Sequence, residues 1–222
     1  MENQEKLGLG TRIAQWIQKR KKILLSTFAI LIVVLAVLGI LSSLASAKSR
    51  KAAESLVEFE ELYAQWNNAT TEEREGFVEK IVTAFDEIET EYSGTYAHQR
   101  GLFMMGDFYF TNEDWENSLD KYLALAGSYS ESYLAPVALY NAAAACEELG
   151  DNERALENYR RISDEYSESA LAPRSLFSVG RLEEQISADQ ALSAYNELIE
   201  SYPQSNWTKL ARSRIIELNI SK

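Results

Sequence analysis

The tightest constraint on this chain is a period. Tyr92, Tyr129, Tyr166 and Tyr202 recur at intervals of 37, 37 and 36 residues. Ser93, Ser130 and Ser167 follow the first three, and Pro203 follows the fourth. Around the middle two, YSESYLAP at 129–136 and YSESALAP at 166–173 differ in one residue of eight. Gly106, Ala143 and Gly180 keep the same beat. So do Leu119, Leu156 and Leu192, then Tyr122, Tyr159 and Tyr195, then Leu125, Ile162 and Leu198. Several independent columns in one register define a repeat array, in which no unit buries its apolar side alone and neighbours must stack.

Each unit reads as two helices. The small residue at Gly106, Ala143 or Gly180 lets the first helix approach its partner, and Ser118, Ala155 or Ala191 does the same on the returning helix. The Tyr and Leu columns fill the space between successive pairs. Ala135-Pro136 and Ala172-Pro173 fit helix starts, where a missing backbone N–H costs nothing, and Ser132 and Ser169 are the expected N-caps. ELGDNERAL, 148–156, is the turn of the middle unit. Upstream, Leu56, Phe59, Leu62, Tyr63 and Trp66 share one helical stripe. NNATTEE breaks it, and Thr70 or Thr71 caps a helix to about Glu91 with Phe77, Ile81, Val82, Phe85 and Ile88 inward. The expected fold is all-α: a right-handed helical solenoid with units near 52–91, 92–128, 129–165 and 166–201 and a capping helix within 202–219.

Ahead of the array, ILLSTFAILIVVLAVLGIL at 23–41 has no charge in nineteen positions. At 1.5 Å per residue it can cross about 30 Å of hydrocarbon. Ala45-Ser46-Ala47 resembles a signal-peptide cleavage site, but the apolar run is longer than such peptides use. Residues 23–45 are therefore read as one uncleaved transmembrane signal anchor. KRKK at 19–22 outweighs Lys48, Arg50 and Lys51 beyond the span, which makes residues 1–22 a basic cytoplasmic tail and exports the repeat domain. In a bacterium that is the inner membrane, with the C-terminal domain periplasmic.

From residue 52 onward there are 13 basic and 32 acidic side chains. That excess excludes nucleic acid as a partner, since its backbone needs clustered positive charge. Catalytic candidates are thin. His98, the sole histidine, has no designated partner and reads as a surface or packing residue. Cys146, the sole cysteine, sits among alanines as a small core hydrophobe. The pairs Glu60-Glu61, Glu72-Glu73, Glu147-Glu148 and Glu183-Glu184 lack the companions of a metal or glycosidase site. Asn68-Ala69-Thr70, Asn206-Trp207-Thr208 and Asn219-Ile220-Ser221 match glycosylation acceptors, which matter only in a eukaryotic lumen. Neither a phosphate loop nor a nucleophile motif occurs. No enzyme, cofactor or metal is expected.

ALYNAAAACEELGDNERALENYRRI, 138–162, resembles a tetratricopeptide repeat. Leu139, Ala142 and Ala143 take the first-helix packing positions, Cys146 the site usually held by tyrosine, and Gly150-Asp151 the turn. Ala155 is the small contact, and Tyr159 and Ile162 are the second-helix anchors. The units at 97–125 and 174–198 match less closely, with Glu113 and Ser187 where the turn glycine belongs. Standard units have about 34 residues. The longer period is similar to that of periplasmic repeat proteins of outer-membrane assembly and cell division. The whole architecture is similar to the ancillary subunits of the Sec translocon. That resemblance implies non-catalytic recruitment near the translocon, with its subunits, periplasmic chaperones or exported clients as partners; a scaffold for division, cell-wall synthesis or outer-membrane assembly is the alternative.

In such a solenoid the first helices line the concave side. Phe103, Tyr140 and Phe177 form a column at 37-residue spacing, and by the family's pattern these positions touch an extended peptide or partner helix. Asp107, Ala144 and Arg181 lie one turn onward, Arg100 and Arg174 one turn earlier, and Phe110, Glu147 and Glu184 extend the strip. The candidate protein-binding residues are therefore Arg100, Phe103, Asp107, Phe110, Tyr140, Glu147, Arg174, Phe177, Arg181 and Glu184. Two readings of the rings stand: they meet a partner, or they complete inter-helix packing.

Overall fold

A computed structural model describes residues 9–220. Glu2, Glu5 and Lys6 of the basic tail, the Arg12 side chain and Ser221 of the last acceptor triplet lie outside the described residues. Among the described residues every regular element is helical: α1 Leu9–Asn68, α2 Thr71–Glu91, α3 Tyr96–Thr111, α4 Trp115–Ser128, α5 Ala135–Glu148, α6 Asn152–Glu165, α7 Ala172–Glu183, α8 Ala188–Ser201 and α9 Asn206–Ile220. The chain divides into two compact units, Met1–Lys51 and Ala52–Lys222.

In the first unit the apolar run is exposed along its length, with Phe28, Ile30, Val33, Leu35 and Ile40 all about 60 % accessible. Among the described residues this is the one helix long and apolar enough to cross a membrane. Apolar surface this continuous, with no protein against it, fits a membrane anchor.

The second unit is an all-α, tetratricopeptide-like solenoid. Its first pair is formed by the part of α1 from Ala52 onward and by α2, followed by α3/α4, α5/α6, α7/α8 and the closing α9. Leu56, Phe59 and Trp66 are buried on α1, as are Ile81, Phe85 and Ile88 on α2. Thr70 opens α2 in a capping box, where the Glu73 carboxylate accepts from the Thr70 N–H at 3.0 Å and its hydroxyl at 2.9 Å. Asp114, Asp151 and Ser187 cap α4, α6 and α8, each accepting an N–H from three residues onward. The buried Tyr column explains the small residues of the first helices. A Cβ on Gly106 would stand 2.5–2.8 Å from three ring atoms of Tyr122.

The loop tyrosines do something different. The Tyr166 hydroxyl donates to the Ser130 carbonyl at 3.0 Å and the Tyr202 hydroxyl to the Ser167 carbonyl at 2.9 Å. The Tyr129 hydroxyl accepts from the Gly94 N–H at 2.9 Å and meets His98 Nδ1 at 2.6 Å. Each tyrosine thus reaches back one unit and fastens its loop to the preceding loop. His98 is a packing residue, buried and stacked on Phe85.

Two expectations need correction. Ser132 and Ser169 are not N-caps: Leu134 and Leu171 hold that position. The serines stand too far ahead to reach the first helical amides, and their hydroxyl oxygens instead accept the Leu134 and Leu171 N–H at 3.2 Å. Ser187 does not replace the turn glycine. Gly150 and Glu113 take the left-handed conformation, at φ 73 and 59, ahead of capping Asp151 and Asp114, whereas Ser187 is itself the cap, in extended conformation. The 36-residue step therefore drops the left-handed residue, and α7 is two residues shorter than α5.

Candidate functional site

The strip along α3, α5 and α7 is built on the buried second-helix tyrosines. Phe103 packs edge-on against Tyr122 with centroids 5.9 Å apart and Tyr140 against Tyr159 at 5.1 Å, while Phe177 lies tilted against Tyr195 at 5.5 Å. Each first-helix ring is half-buried, so part of it completes the repeat and part remains accessible; Phe177 also meets Trp207, centroids 5.3 Å apart. The two readings of these rings are thus not exclusive. Arg174 lies 4.4 Å above Tyr140 and 5.7 Å from Trp207, a cation–π arrangement that joins α5, α7 and α9.

Carboxylates and arginines lace the strip together. The Glu147 carboxylate accepts from Tyr159 at 2.9 Å and from Arg181 at 2.6 Å. Glu184 accepts from Tyr195 at 2.6 Å and from Arg214 Nε at 2.9 Å. Arg214 and Tyr195 hold the Glu184 carboxyl below its ordinary range, against the opposing effect of burial. Arg100 pairs with Glu60 at 3.2 Å. Asp107 accepts from Tyr122 at 2.5 Å, and burial raises its carboxyl while Tyr122 and Arg100 oppose the rise. The same carboxylate helps push the half-buried phenol of Tyr63 up to about 12, after burial itself. Phe110 turns to Trp115, centroids 4.7 Å apart, across the α3–α4 turn.

The candidate residues therefore form pairs: Arg181 with Glu147 and Arg174 with Tyr140. Phe103 and Asp107 are tied through Tyr122. Sequence reasoning missed Glu60, Tyr63, Trp207 and Arg214, which complete the strip from α1 and α9. Neither helix keeps the 37-residue register that exposed the others. A cleft of about 710 Å³ lies apart from these residues, between loop residues 130–133 and 165–169 and lined in part by Glu131, Glu165 and Glu168.

Cys146 is buried, with its thiol raised chiefly by burial; the Asn158 amide donates to its sulfur at 3.9 Å. Among the described residues no three His, Cys, Asp or Glu side chains come together as a metal set. The architecture is that of a repeat scaffold.

Residues 137–169 and 174–205 match the tetratricopeptide-repeat family model. These stretches fall on the helix pairs α5/α6 and α7/α8. The chain is also 26 % identical over 126 residues to a TPR repeat-containing protein of Treponema pallidum (strain Nichols), a match covering 56 % of this chain and 52 % of that protein. The chain thus spans about half the length of the curated relative it matches.

Proposed function

We propose that this is a membrane-anchored docking protein whose strip of first-helix aromatics and arginines receives an extended segment of a protein partner at the site of export. The observation that carries the reading is the strip itself: Phe103, Tyr140 and Phe177 each stay partly accessible while resting on a buried tyrosine. Rings held this way offer contact area at little further cost in entropy. The ion pairs Arg181–Glu147 and Arg214–Glu184 hold neighbouring first helices at fixed separation, so the surface is organised before a partner arrives. The exposed apolar run at 23–45, preceded by KRKK, supports a single span with the repeat domain on the outer face of the inner membrane. The partners in this reading, Sec translocon subunits, periplasmic chaperones or exported clients, come from the resemblance of the architecture to ancillary subunits of the Sec translocon.

In-cell photocrosslinking tests this, with a photoreactive residue replacing Tyr140 in the full-length anchored protein and a control probe replacing exposed Glu157 on α6. Crosslinks to translocon subunits, chaperones or nascent exported chains from position 140 alone support the reading. Products with division or outer-membrane assembly proteins move the assignment to an envelope scaffold. Equal labelling from both positions refutes a docking strip.

A further inference from the structure

We propose that Asp107 anchors a subsite for an arginine side chain of the bound partner segment, an inference that rests on the docking strip proposed above. The strip is regular except at the unit formed by α3 and α4. In the next two units a second-helix tyrosine donates to a glutamate that an arginine from one unit onward also holds: Tyr159–Glu147–Arg181 and Tyr195–Glu184–Arg214. In the α3/α4 unit Phe110 stands at the glutamate's repeat position, and the carboxylate lies one turn earlier at Asp107, where Tyr122 donates to it. Ala144 stands 37 residues before Arg181, at the position from which the missing arginine would reach back.

Among the described residues no ion pair holds Asp107. Arg100, whose charge it feels, is bonded to Glu60. A half-buried carboxylate with one hydrogen bond and no paired cation is the costly partner in an unfinished arrangement. Its surroundings select the cation. Phe103 and Tyr63 bring aromatic rings to the same neighbourhood through Tyr122 and Asp107, and Arg174 over Tyr140 shows how this strip accommodates a guanidinium. A planar guanidinium both donates to a carboxylate and stacks on rings, which an ammonium does less well. The 13 basic against 32 acidic side chains from residue 52 onward draw a basic segment toward the domain before contact.

The test uses the full-length protein in detergent micelles and fluorescein-labelled short peptides of Ser, Ala and Leu carrying one central Arg, citrulline or Glu, followed by anisotropy. The Arg peptide is expected to bind roughly tenfold more tightly than the citrulline peptide, the difference belonging to a charge-assisted hydrogen bond. Asp107→Asn, whose amide oxygen still accepts from Tyr122, erases that difference. Ala144→Arg does so as well, by filling the subsite from within the chain. Equal binding of Arg and citrulline peptides, or a preference that survives both variants, overturns the subsite; the strip still stands if Tyr140→Ala weakens every peptide. Absence of binding by all peptides, or binding indifferent to Tyr140→Ala, overturns both.

Discussion

Gly106→Ala adds one methyl group to a place where the middle unit already has one, at Ala143, and it is expected to destabilise the protein nonetheless. The new Cβ would lie 2.5 Å from Tyr122 Cε1 and 2.7–2.8 Å from Cδ1 and Cζ. The ring cannot swing freely, because Asp107 holds its hydroxyl and Phe103 packs on its edge. The helix cannot back away either, because the Ser118 hydroxyl donates to the Gly106 carbonyl at 2.9 Å. The middle unit has Ala155 in place of that serine, so no hydroxyl there ties the returning helix to the Ala143 carbonyl. Overpacking of this kind costs about 1–3 kcal/mol, and the better helix propensity of alanine returns about 1 kcal/mol. With ring and helix both held, the cost belongs in the upper half of that range, and a net loss of about 1–2 kcal/mol lowers the Tm of a domain this size by roughly 2–8 °C. Thermal unfolding of the full chain in mild detergent, followed by circular dichroism, measures it. Ser118→Ala in the same chain should recover part of the loss, since it releases the helix; a double-mutant cycle reads that coupling. Unchanged or higher stability in Gly106→Ala, or strict additivity with Ser118→Ala, refutes the pinned-helix account.

Acid weakens the later strip. Glu184 titrates below its ordinary value of 4.5 when folded, so its contribution is present above that pH and is lost as pH falls through the folded value; Glu184→Gln should flatten the Tm-against-pH curve in that window, and an unchanged curve contradicts the assignment. Tyr166→Phe removes the hydrogen bond to the Ser130 carbonyl. It should lower stability by about 1 kcal/mol with no change in urea m-value; no shift of the urea midpoint would place the loop restraint elsewhere. Cys146, buried and with a raised thiol, should react with a thiol-directed disulfide reagent only as fast as the protein opens. Rapid labelling of the native protein rules out its core placement.

Of the columns that revealed the fold, the second-helix tyrosines and the Leu125 column carry its burial, and the half-buried loop tyrosines carry its loop hydrogen bonds. Tyr122, Tyr159, Tyr195, Leu125, Ile162 and Leu198 are all 2 % exposed or less, and a packing constraint repeated in every unit leaves a strict period. Polar contacts along the strip obey a looser rule. Arg181 reaches Glu147 across 34 residues and Arg214 reaches Glu184 across 30, because a long side chain absorbs the change of helix phase at α9. Asp107 is displaced by a turn from the glutamate column for the same reason. Tyr122 needs an acceptor at its hydroxyl, and either turn of α3 can supply one. The capping serines were misplaced because Ser, Leu and Ala-Pro all sit within one turn, and only the backbone path shows which amide each hydroxyl meets.

The loop tyrosines have a direction. Tyr129 reaches the loop at Gly94, Tyr166 reaches Ser130 and Tyr202 reaches Ser167, and the strip arginines Arg181 and Arg214 also point to an earlier unit. Each of these latches is carried by the later segment and closes on the earlier one. A chain emerging N-terminus first through a narrow conduit presents each keeper before its latch, so assembly can proceed vectorially, one unit at a time, without a finished pair waiting for a partner upstream.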